Sequence, residues 1–300
     1  MYKTVHVQIA ENKRKTVGIV TGFILFLIFV GAVIGHIFYE NVLLGIIYAV
    51  FLSILYTVIM LINSSSIVMR MNRARKITKR EKNRPLWDAV ENMAMVANIP
   101  LPDIYIIDDR SPNAFATGTS PKKAAVAVTT GLLEQLDDYE LEGVIAHEVS
   151  HIKNYDIRLA TVAIALVSAI AVLSDIAIRS LYYRGGYQRS NNNRNKRGQL
   201  FLLLLGLIFI IITPVIATMI QLAISRNREY LADASAVELT RNPVSLISAL
   251  EKISSFTQPV AKPSKASESI YFVNPFKKVN QKLFATHPPI EDRIARLKEM

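Results

Sequence analysis

The chain has 300 residues, of which 51% are apolar and 20% are charged, and its mean hydropathy is +0.28. Soluble domains carry about 25% charged residues, so this composition argues against an ordinary soluble protein, and so apolar a chain is not disordered. The 35 Lys and Arg against 24 Asp and Glu give a net charge of +11, which suggests a membrane surface or nucleic acid as partner. The absence of cysteine excludes disulfides, thiolate zinc sites and cysteine nucleophiles.

Two long apolar runs near the N-terminus predict a membrane-spanning helical hairpin. Residues 17–38 and 42–62 are each long enough, at about 1.5 Å per residue, to cross a hydrocarbon core of about 30 Å. Residues 1–16 hold four Lys or Arg and residues 63–84 hold eight, whereas the short link between the runs holds none. The positive-inside rule therefore predicts that both ends of the hairpin face the cytoplasm.

The segment after the hairpin has the pattern of a folded α+β unit. Apolar residues recur three and four positions apart from Leu86 to Val96, which predicts an amphipathic helix. Short Val- and Ile-rich stretches bounded by Pro, Asp or Gly predict strands at 103–108 and 124–129. Residues 113–118, between these two, predict a turn followed by an exposed strand.

The next helix carries the clearest chemical signal. Asp137 and Glu140 have capping-box spacing at its start. His147 and His151 are four residues apart and therefore share a helix face, so both imidazoles can bind one metal ion. Glu148 lies one step around the helix, where it can act as a general base towards water rather than as a ligand. The alternative interpretation is two histidines on an ordinary polar helix face.

A catalytic zinc ion usually has three protein ligands, so a third must come from elsewhere in the chain. The metzincin continuation requires His at position 157, which is Ile157 here, and this class is excluded. Asp156 is expected to lie too close along the same helix to complete the site easily.

Glu229 is the first Glu after the histidine motif and is the candidate third ligand. Asp233 follows it one helical turn later and could accept a hydrogen bond from a ligand histidine. Alternatively, the two carboxylates pair with Arg226 and Arg228 on a solvated helix. Helices are predicted at 226–240, from Pro243 to about Phe256, and from Pro289 to Met300, with a flexible loop at 257–269.

Two further apolar runs, 159–178 and 200–224, separate the histidine motif from Glu229, so an even number of membrane crossings is needed to bring them together. The stretch between them, 179–199, has six Lys or Arg and no acid, and its Gly and Asn content predicts a mobile loop. If both runs span, this basic loop lies outside and breaks the positive-inside rule. Either it is an exception, or the second hairpin enters the membrane without crossing.

Four motifs in this order resemble the HtpX family, bacterial and archaeal heat-shock membrane metalloproteases related to the CAAX prenyl proteases. The motifs are NAFATG at 113–118, HEVSHIKNYD at 147–156, SRNREYLADASAV at 225–237 and THPPIEDRI at 286–294. The resemblance covers nearly the whole chain. It implies an α+β, mainly helical, integral membrane protein with two hydrophobic hairpins and a zincin-type metalloprotease domain that contains a small β-sheet.

The resemblance also implies a gluzincin site with one Zn²⁺ per chain. Its zinc ligands would be His147, His151 and Glu229. Glu148 would be the general base, and Asp233 would support the ligands from behind. His287 and Arg293 would stabilise the oxyanion of the tetrahedral intermediate. The edge strand that pairs with substrate backbone would comprise Asn113, Ala114, Phe115, Ala116, Thr117 and Gly118.

These features together predict the organisation of the chain. The predicted segments are a cytoplasmic N-terminus at 1–16, a transmembrane hairpin at 17–62, the first part of the catalytic domain at 63–157, a third hydrophobic segment at 158–178, a basic loop at 179–199, a fourth hydrophobic segment at 200–224 and the second part of the catalytic domain at 225–300. The three basic segments, 1–16, 63–84 and 179–199, carry a net charge of +16, which leaves −5 for the remainder. The basic charge therefore indicates contact with anionic lipid headgroups, and we expect no nucleic-acid partner.

The resemblance implies cleavage of misfolded or damaged membrane proteins on the cytoplasmic side of the cell membrane, as part of a stress response. The substrate would be an extended or unfolded segment held through its backbone, so side-chain specificity should be broad. Two alternatives are a CAAX-type prenyl protease acting on lipidated C-termini and a metal-stabilised membrane chaperone without turnover.

Overall fold

The computed structural model describes residues 5–168, 179, 226–256, 270–273 and 288–300. The predicted loops at 179–199 (Arg179 excepted) and 257–269, the fourth apolar run, the end of the third and His287 lie outside the described residues. The chain divides into two compact units. One unit comprises Met1–Lys13, Ser64–Thr161 and Ile220–Met300, and the other comprises Arg14–Asn63 and Val162–Met219.

The predicted N-terminal hairpin is confirmed as two long helices, α1 (Val5–Tyr39) and α2 (Val42–Met71). Within them, Ala10–Val33 and Val42–Met71 are long and apolar enough to cross a membrane, judged by length and composition. Both helices exceed the apolar runs that predicted them, because they continue through the polar residues that flank those runs. A helix propagates easily once it is nucleated, so a change in hydropathy does not by itself end it.

Small residues let α1 and α2 touch near their connecting turn. A Cβ on Gly35 would lie 2.8 Å from the Cα of Gly45, and a Cβ on Gly45 would lie 2.7 Å from the Cα of Gly35. Gly31 meets Ala49 in the same way one turn further along. Such close backbone approach is the usual packing device of membrane helices. The side chain of Asn41 caps α2 by accepting a backbone N–H hydrogen bond from its first turn (3.1 Å).

A four-stranded mixed sheet forms the β part of the other unit. Its strands are β1 (Arg75–Ile77), β2 (Asp103–Ile107), β3 (Ala114–Gly118) and β4 (Ala124–Thr129). The order is β1-β2-β4-β3, with β2 and β4 parallel and the other two pairs antiparallel. The strands predicted at 103–108 and 124–129 are therefore confirmed. The strand predicted within 113–118 is present as β3 at one edge of this sheet, but it is not exposed as predicted, since all five of its residues are buried.

Helices cover this sheet and carry the histidine motif. They are α3 (Arg84–Val96), α4 (Thr130–Gln135), α5 (Asp138–Lys153), α6 (residues 156–168, as far as they are described), α7 (Arg226–Thr240), α8 (Pro243–Ser255) and α9 (Ile290–Leu297). The predicted helices are confirmed with small shifts at their ends. The sequence analysis did not predict β1 or α4, because a three-residue basic strand and a six-residue helix are too short to show a hydrophobic period.

Helix α5 lies at the centre of this unit, where it packs against α3, α7, α8 and β3. Eleven of its 16 residues are buried, among them His147, Glu148 and Ser150. A helix this deeply buried must have partners for its polar side chains, since an unpaired buried polar group is costly. The positions of those partners determine the geometry of the site.

Glu140 ties the start of α5 to α8. Its carboxylate, 3% exposed, accepts hydrogen bonds from Ser248 Oγ (2.6 Å), Lys252 Nζ (2.6 Å) and the backbone N–H of Asp137 (2.9 Å). The side chain of Asp137 in turn accepts from the N–H of Glu140, which completes the predicted capping box. Burial raises the pKa of Glu140, but the bonds from Lys252, Ser248 and Asp137 outweigh it and lower the pKa on balance.

We expect Glu140→Gln to lower the free energy of unfolding by roughly 1–3 kcal/mol, because it removes charge from a buried, hydrogen-bonded group. The folded-state pKa of Glu140 is depressed, so its stabilisation is fully present above the unfolded pKa of about 4.3 and is lost as the pH falls through the folded pKa. The difference in thermal midpoint between wild type and variant should therefore shrink between pH 7 and pH 3. A difference that is constant over this range would contradict the prediction.

Candidate metal centre

Three side-chain donors converge at the C-terminal half of α5. Nε2 of His151 lies 3.1 Å from Nε2 of His147. Glu229 places Oε1 3.5 Å from Nε2 of His151 and Oε2 3.7 Å from Nε2 of His147. A tetrahedral zinc ion with bonds of about 2.1 Å separates its ligand atoms by about 3.4 Å, so these three distances fit one ion. The donor atoms all lie within 4.8 Å of one another.

Two packed helices bring these donors together. His147 and His151 occupy successive turns of α5, and Glu229 lies in the first turn of α7, which packs along α5. Glu229 and Asp233 are each only 2% exposed. The alternative prediction, in which these carboxylates lie on a solvated helix surface, is therefore wrong.

Asp233 contacts the ring nitrogen of His147 that faces away from Glu229. Nδ1–H of His147 donates to Oδ1 of Asp233 at 2.9 Å. This contact leaves Nε2 as the nitrogen available to a metal ion. Burial holds the pKa of His147 down to about 4 in spite of Asp233. His147 is therefore neutral at physiological pH, as a metal ligand must be.

Arg293 lies behind Asp233 and is 1% exposed. Its Nε and Nη2 donate to the two carboxylate oxygens of Asp233 at 2.8 and 2.6 Å, and its guanidinium lies 4.7 Å from the ring centroid of Phe272. Burial raises the pKa of Asp233, but Arg293 and His147 outweigh it and bring the pKa to about 2. The guanidinium therefore sits on the Nδ1 side of His147, at 3.4 Å. These contacts support a role in fixing Asp233, and the oxyanion role of Arg293 stays a prediction.

Glu148 lies between α5 and the sheet, beside the metal-ligand cluster, and is 2% exposed. Its carboxylate accepts a hydrogen bond from the backbone N–H of Ala116 in β3. Burial raises the pKa of Glu148 to about 7, against the opposing effect of His151. A carboxyl group with a pKa near neutrality can both take and return a proton, as general acid–base catalysis requires.

Asp156 is a partner of His151 that the sequence analysis did not identify. Its Oδ2 lies 3.2 Å from Nδ1 of His151. Tyr155 has φ of 60°, which separates α5 from α6 and turns Asp156 back towards the site. Burial lowers the pKa of His151, but Asp156 and Glu229 outweigh it and raise the pKa to about 9. A cation bound here must displace that proton. In the sequence, Asn154 is the residue that indicates the end of α5 before Asp156.

The donors line a cavity whose wall also includes Ala116 of β3 and residues 270–272. Residues 270–273 cover the first half of the outer edge of β3. The N–H of Phe272 donates to the carbonyl of Ala114 at 2.8 Å, and Nδ2 of Asn113 donates to the carbonyl of Val273 at 2.7 Å. The ring of Phe272 contacts His147 edge-on, with centroids 5.0 Å apart. No local pattern in the sequence indicates this segment, since its partners lie 125 or more residues away.

Comparisons with known proteins show the family of this chain. The model of peptidase family M48 matches residues 80–300. The chain is 57% identical over 301 residues to a protein named Protease HtpX homolog from Listeria monocytogenes serotype 4a, covering 98% of this chain and 99% of that protein. Proteins of the same name from Ligilactobacillus salivarius and Streptococcus uberis are 52% and 50% identical, each with 98% of this chain and 99% of the relative covered.

A crystal structure of S. mikatae Ste24p aligns with 98% of this chain at 20% identity and a TM-score of 0.46, and the chain spans 66% of the length of that protein. The family model and the full-length relatives agree with the resemblance found in the four sequence motifs. Together with the two apolar helices, they make the chain a membrane metalloprotease. The chain belongs to the HtpX proteases of peptidase family M48.

Proposed function

We propose that this protein is a zinc-dependent endopeptidase that cleaves misfolded or damaged membrane proteins on the cytoplasmic side of the cell membrane, as part of a stress response. The observation that carries the proposal is the convergence of His147, His151 and Glu229 beside the buried carboxyl group of Glu148. Two imidazoles and one carboxylate are a ligand set of catalytic zinc sites, which keep a further position open.

The metal ion would be held by His147, His151 and Glu229, and the donor spacing supports one Zn²⁺ per chain. When bound, zinc polarises the scissile carbonyl and lowers the pKa of water. Asp233 would hold His147 in the tautomer that offers Nε2, and Arg293 would hold Asp233. His287 would stabilise the oxyanion, as the resemblance implies.

Glu148 would perform the proton transfers. Its carboxylate would take a proton from the attacking water and then pass it to the leaving amine, so one group serves as base and acid in turn. The N–H of Ala116 fixes the direction in which this carboxylate points. Because both residues line the same cavity, the peptide bond to be cleaved would lie between β3 and α5.

The substrate would pair with the outer edge of β3, the β-augmentation mode of recognition. The N–H of Thr129 donates to the carbonyl of Asn113, so odd-numbered residues of β3 bond inward to β4 and even-numbered residues face the outer edge. Ala114 already accepts from Phe272. The N–H of Ala116 donates to Glu148, so we place the substrate backbone at the outward-facing carbonyl of Ala116, beside Glu148. Backbone pairing favours extended or unfolded segments and gives broad side-chain specificity.

The membrane places the enzyme close to such substrates. The basic segments on both sides of the first hairpin would face the cytoplasm and contact anionic lipid headgroups. This arrangement accounts for the positive charge without a nucleic-acid partner. The catalytic part would then lie on the cytoplasmic side of a multi-pass plasma-membrane protein.

The Glu148→Gln variant tests the proposal. We expect wild type and variant, purified as full chains in detergent, to contain one zinc ion each, because Glu148 is not a ligand. Cleavage of a loosely folded substrate should fall at least about 100-fold in the variant. Glu142→Gln, the same change six residues earlier on α5, should cleave like wild type. Equal cleavage by Glu148→Gln and wild type would exclude this mechanism, and no cleavage by wild type would favour a chaperone.

A further inference from the structure

A buried polar network connects the start of α1 to the metal centre. Asn12 is 3% exposed although it lies only seven residues into α1. Its Nδ2 donates to Oδ1 of Asp156 at 2.9 Å, and its Oδ1 accepts from Nη1 of Arg228 at 3.1 Å. Asn12 belongs to the same compact unit as the metal ligands, whereas the apolar remainder of α1 belongs to the other unit.

Each partner of Asn12 is one step from a ligand. Asp156 uses its other oxygen, Oδ2, to contact Nδ1 of His151 at 3.2 Å. Arg228 precedes Glu229 in the chain, and its Nη1 also lies 3.7 Å from Oδ1 of Asp156. The amide of Asn12 thus donates a hydrogen bond to Asp156 and accepts one from Arg228, and a single amide side chain can do both.

We propose that Asn12 is a positioning residue for the metal centre, which holds Asp156 against His151 and anchors Arg228 at the start of the helix that carries Glu229. The inference rests on the proposed function, since it concerns the same metal site. A carboxylate behind a ligand histidine fixes the orientation of its ring and raises its basicity. Asp156 can do this only while its own orientation is fixed, and the amide of Asn12 fixes it. The first membrane helix therefore contributes to a site whose ligands are more than 130 residues away.

The geometry distinguishes this role from ordinary packing. A buried asparagine that only fills space would be replaceable by leucine, which has a similar shape but no polar atoms. Asn12→Leu leaves Asp156 and Arg228 in place as a pair at 3.7 Å, longer than a hydrogen bond. His151 then keeps its contact with Asp156, but Asp156 loses the hydrogen bond from Asn12 that fixes its orientation. The expected consequence is a weaker and more variable metal site in a protein that still folds.

The test measures metal binding rather than activity. Zinc affinity of the full chain in detergent is determined by competition with a chromophoric chelator, and the visible spectrum of the Co²⁺-loaded protein reports the ligand geometry. Loss of an outer partner of a ligand typically costs 10–100-fold in metal affinity. We expect about 100-fold weaker zinc binding for Asp156→Ala and about 10-fold for Asn12→Leu, with an altered Co²⁺ spectrum in both. The double variant should lose less than the product of the two single losses, because Asn12 acts partly through Asp156.

Glu140→Gln is the matched control, because it weakens the same unit at the far end of α5 from His151 without touching the network. It should lower the thermal midpoint and leave the zinc affinity and Co²⁺ spectrum unchanged. An affinity of Asn12→Leu within about twofold of wild type, with an unchanged spectrum, would overturn the inference. Zinc binding by wild type without proteolysis would overturn only the proposed function, whereas no zinc binding by wild type would overturn both.

Discussion

Replacing Glu229 with alanine is expected to abolish peptidase activity by removing the metal ion. Glu229 supplies the one carboxylate of the three-donor cluster, at 3.5 and 3.7 Å from the two imidazole nitrogens. Because an outer partner already contributes 10–100-fold to metal affinity, we expect the loss of a direct ligand to weaken zinc binding by more than about 100-fold. Metal content after dialysis and cleavage of a loosely folded substrate should fall together.

Two further variants of α7 and its site make this result specific. Glu229→Gln keeps the size of the side chain and one neutral oxygen donor, so its zinc affinity should lie between those of wild type and Glu229→Ala. Glu238→Ala removes an exposed carboxylate from the same helix and should change neither metal content nor activity. A Glu229→Ala protein that retains one zinc ion at wild-type affinity would show that another residue completes the site.

The sequence predicts those parts of the fold that have a local cause. The capping box at Asp137 and Glu140 marks the start of α5, and the spacing of His147 and His151 then places both imidazoles on one face. The apolar runs predict the first hairpin because length and hydropathy alone decide whether a helix can span. In contrast, β1 consists of three residues whose pairing with β2 depends on backbone bonds to a distant strand. No local property of Arg75 or Lys76 indicates it.

The same distinction holds at the metal centre. The local motif identified both histidines and Glu148, and the spacing of Glu229 and Asp233 on one helix suggested the carboxylates. The sequence analysis did not predict a role for Asn12 or Phe272, because both are remote from the site in the sequence. Asn12 reaches the site through hydrogen bonds of its amide, and Phe272 reaches it through a ring contact with His147. Sequence periodicity carries information about a helix face, and it carries none about which distant segment packs onto that face.

Asp156 contacts a zinc-ligand candidate in a way that the assumption of a continuous helix did not predict. The sequence analysis set Asp156 aside as a zinc ligand because it lies too close to the histidine motif along the same helix to complete the site easily. The positive φ of Tyr155 interrupts the helix and returns the carboxylate to His151. The conclusion that Asp156 is not a zinc ligand is consistent with the donor cluster. Its contact with His151 depends on the backbone dihedral of Tyr155, and the only indication of that dihedral in the sequence is the helix-ending residue Asn154.

Substitution of Arg293 should cause a large loss of stability. Arg293 is fully buried and is bound to both oxygens of Asp233, so Arg293→Met would leave the Asp233 carboxylate without its main counter-charge. Breaking a buried pair by removing one partner typically costs about 3–5 kcal/mol. We expect a loss of this size in the free energy of unfolding, measured on metal-free protein so that zinc binding does not contribute. Asp233→Asn combined with Arg293→Met should lose less than the two single changes together, since no unpaired charge remains.

Arg296→Met provides the comparison on the same helix. Arg296 is exposed and lies over the ring of Tyr230, 3.7 Å from its centroid, so its replacement should cost only about 0.5–1 kcal/mol. If Arg293→Met destabilises the protein no more than Arg296→Met, the buried pair does not support the fold. An Arg293→Met protein of wild-type stability that binds zinc but does not cleave would instead favour the oxyanion role implied by the family resemblance. The two roles thus predict opposite results in the unfolding measurement, because a group that binds only the transition state contributes nothing to the stability of the free enzyme.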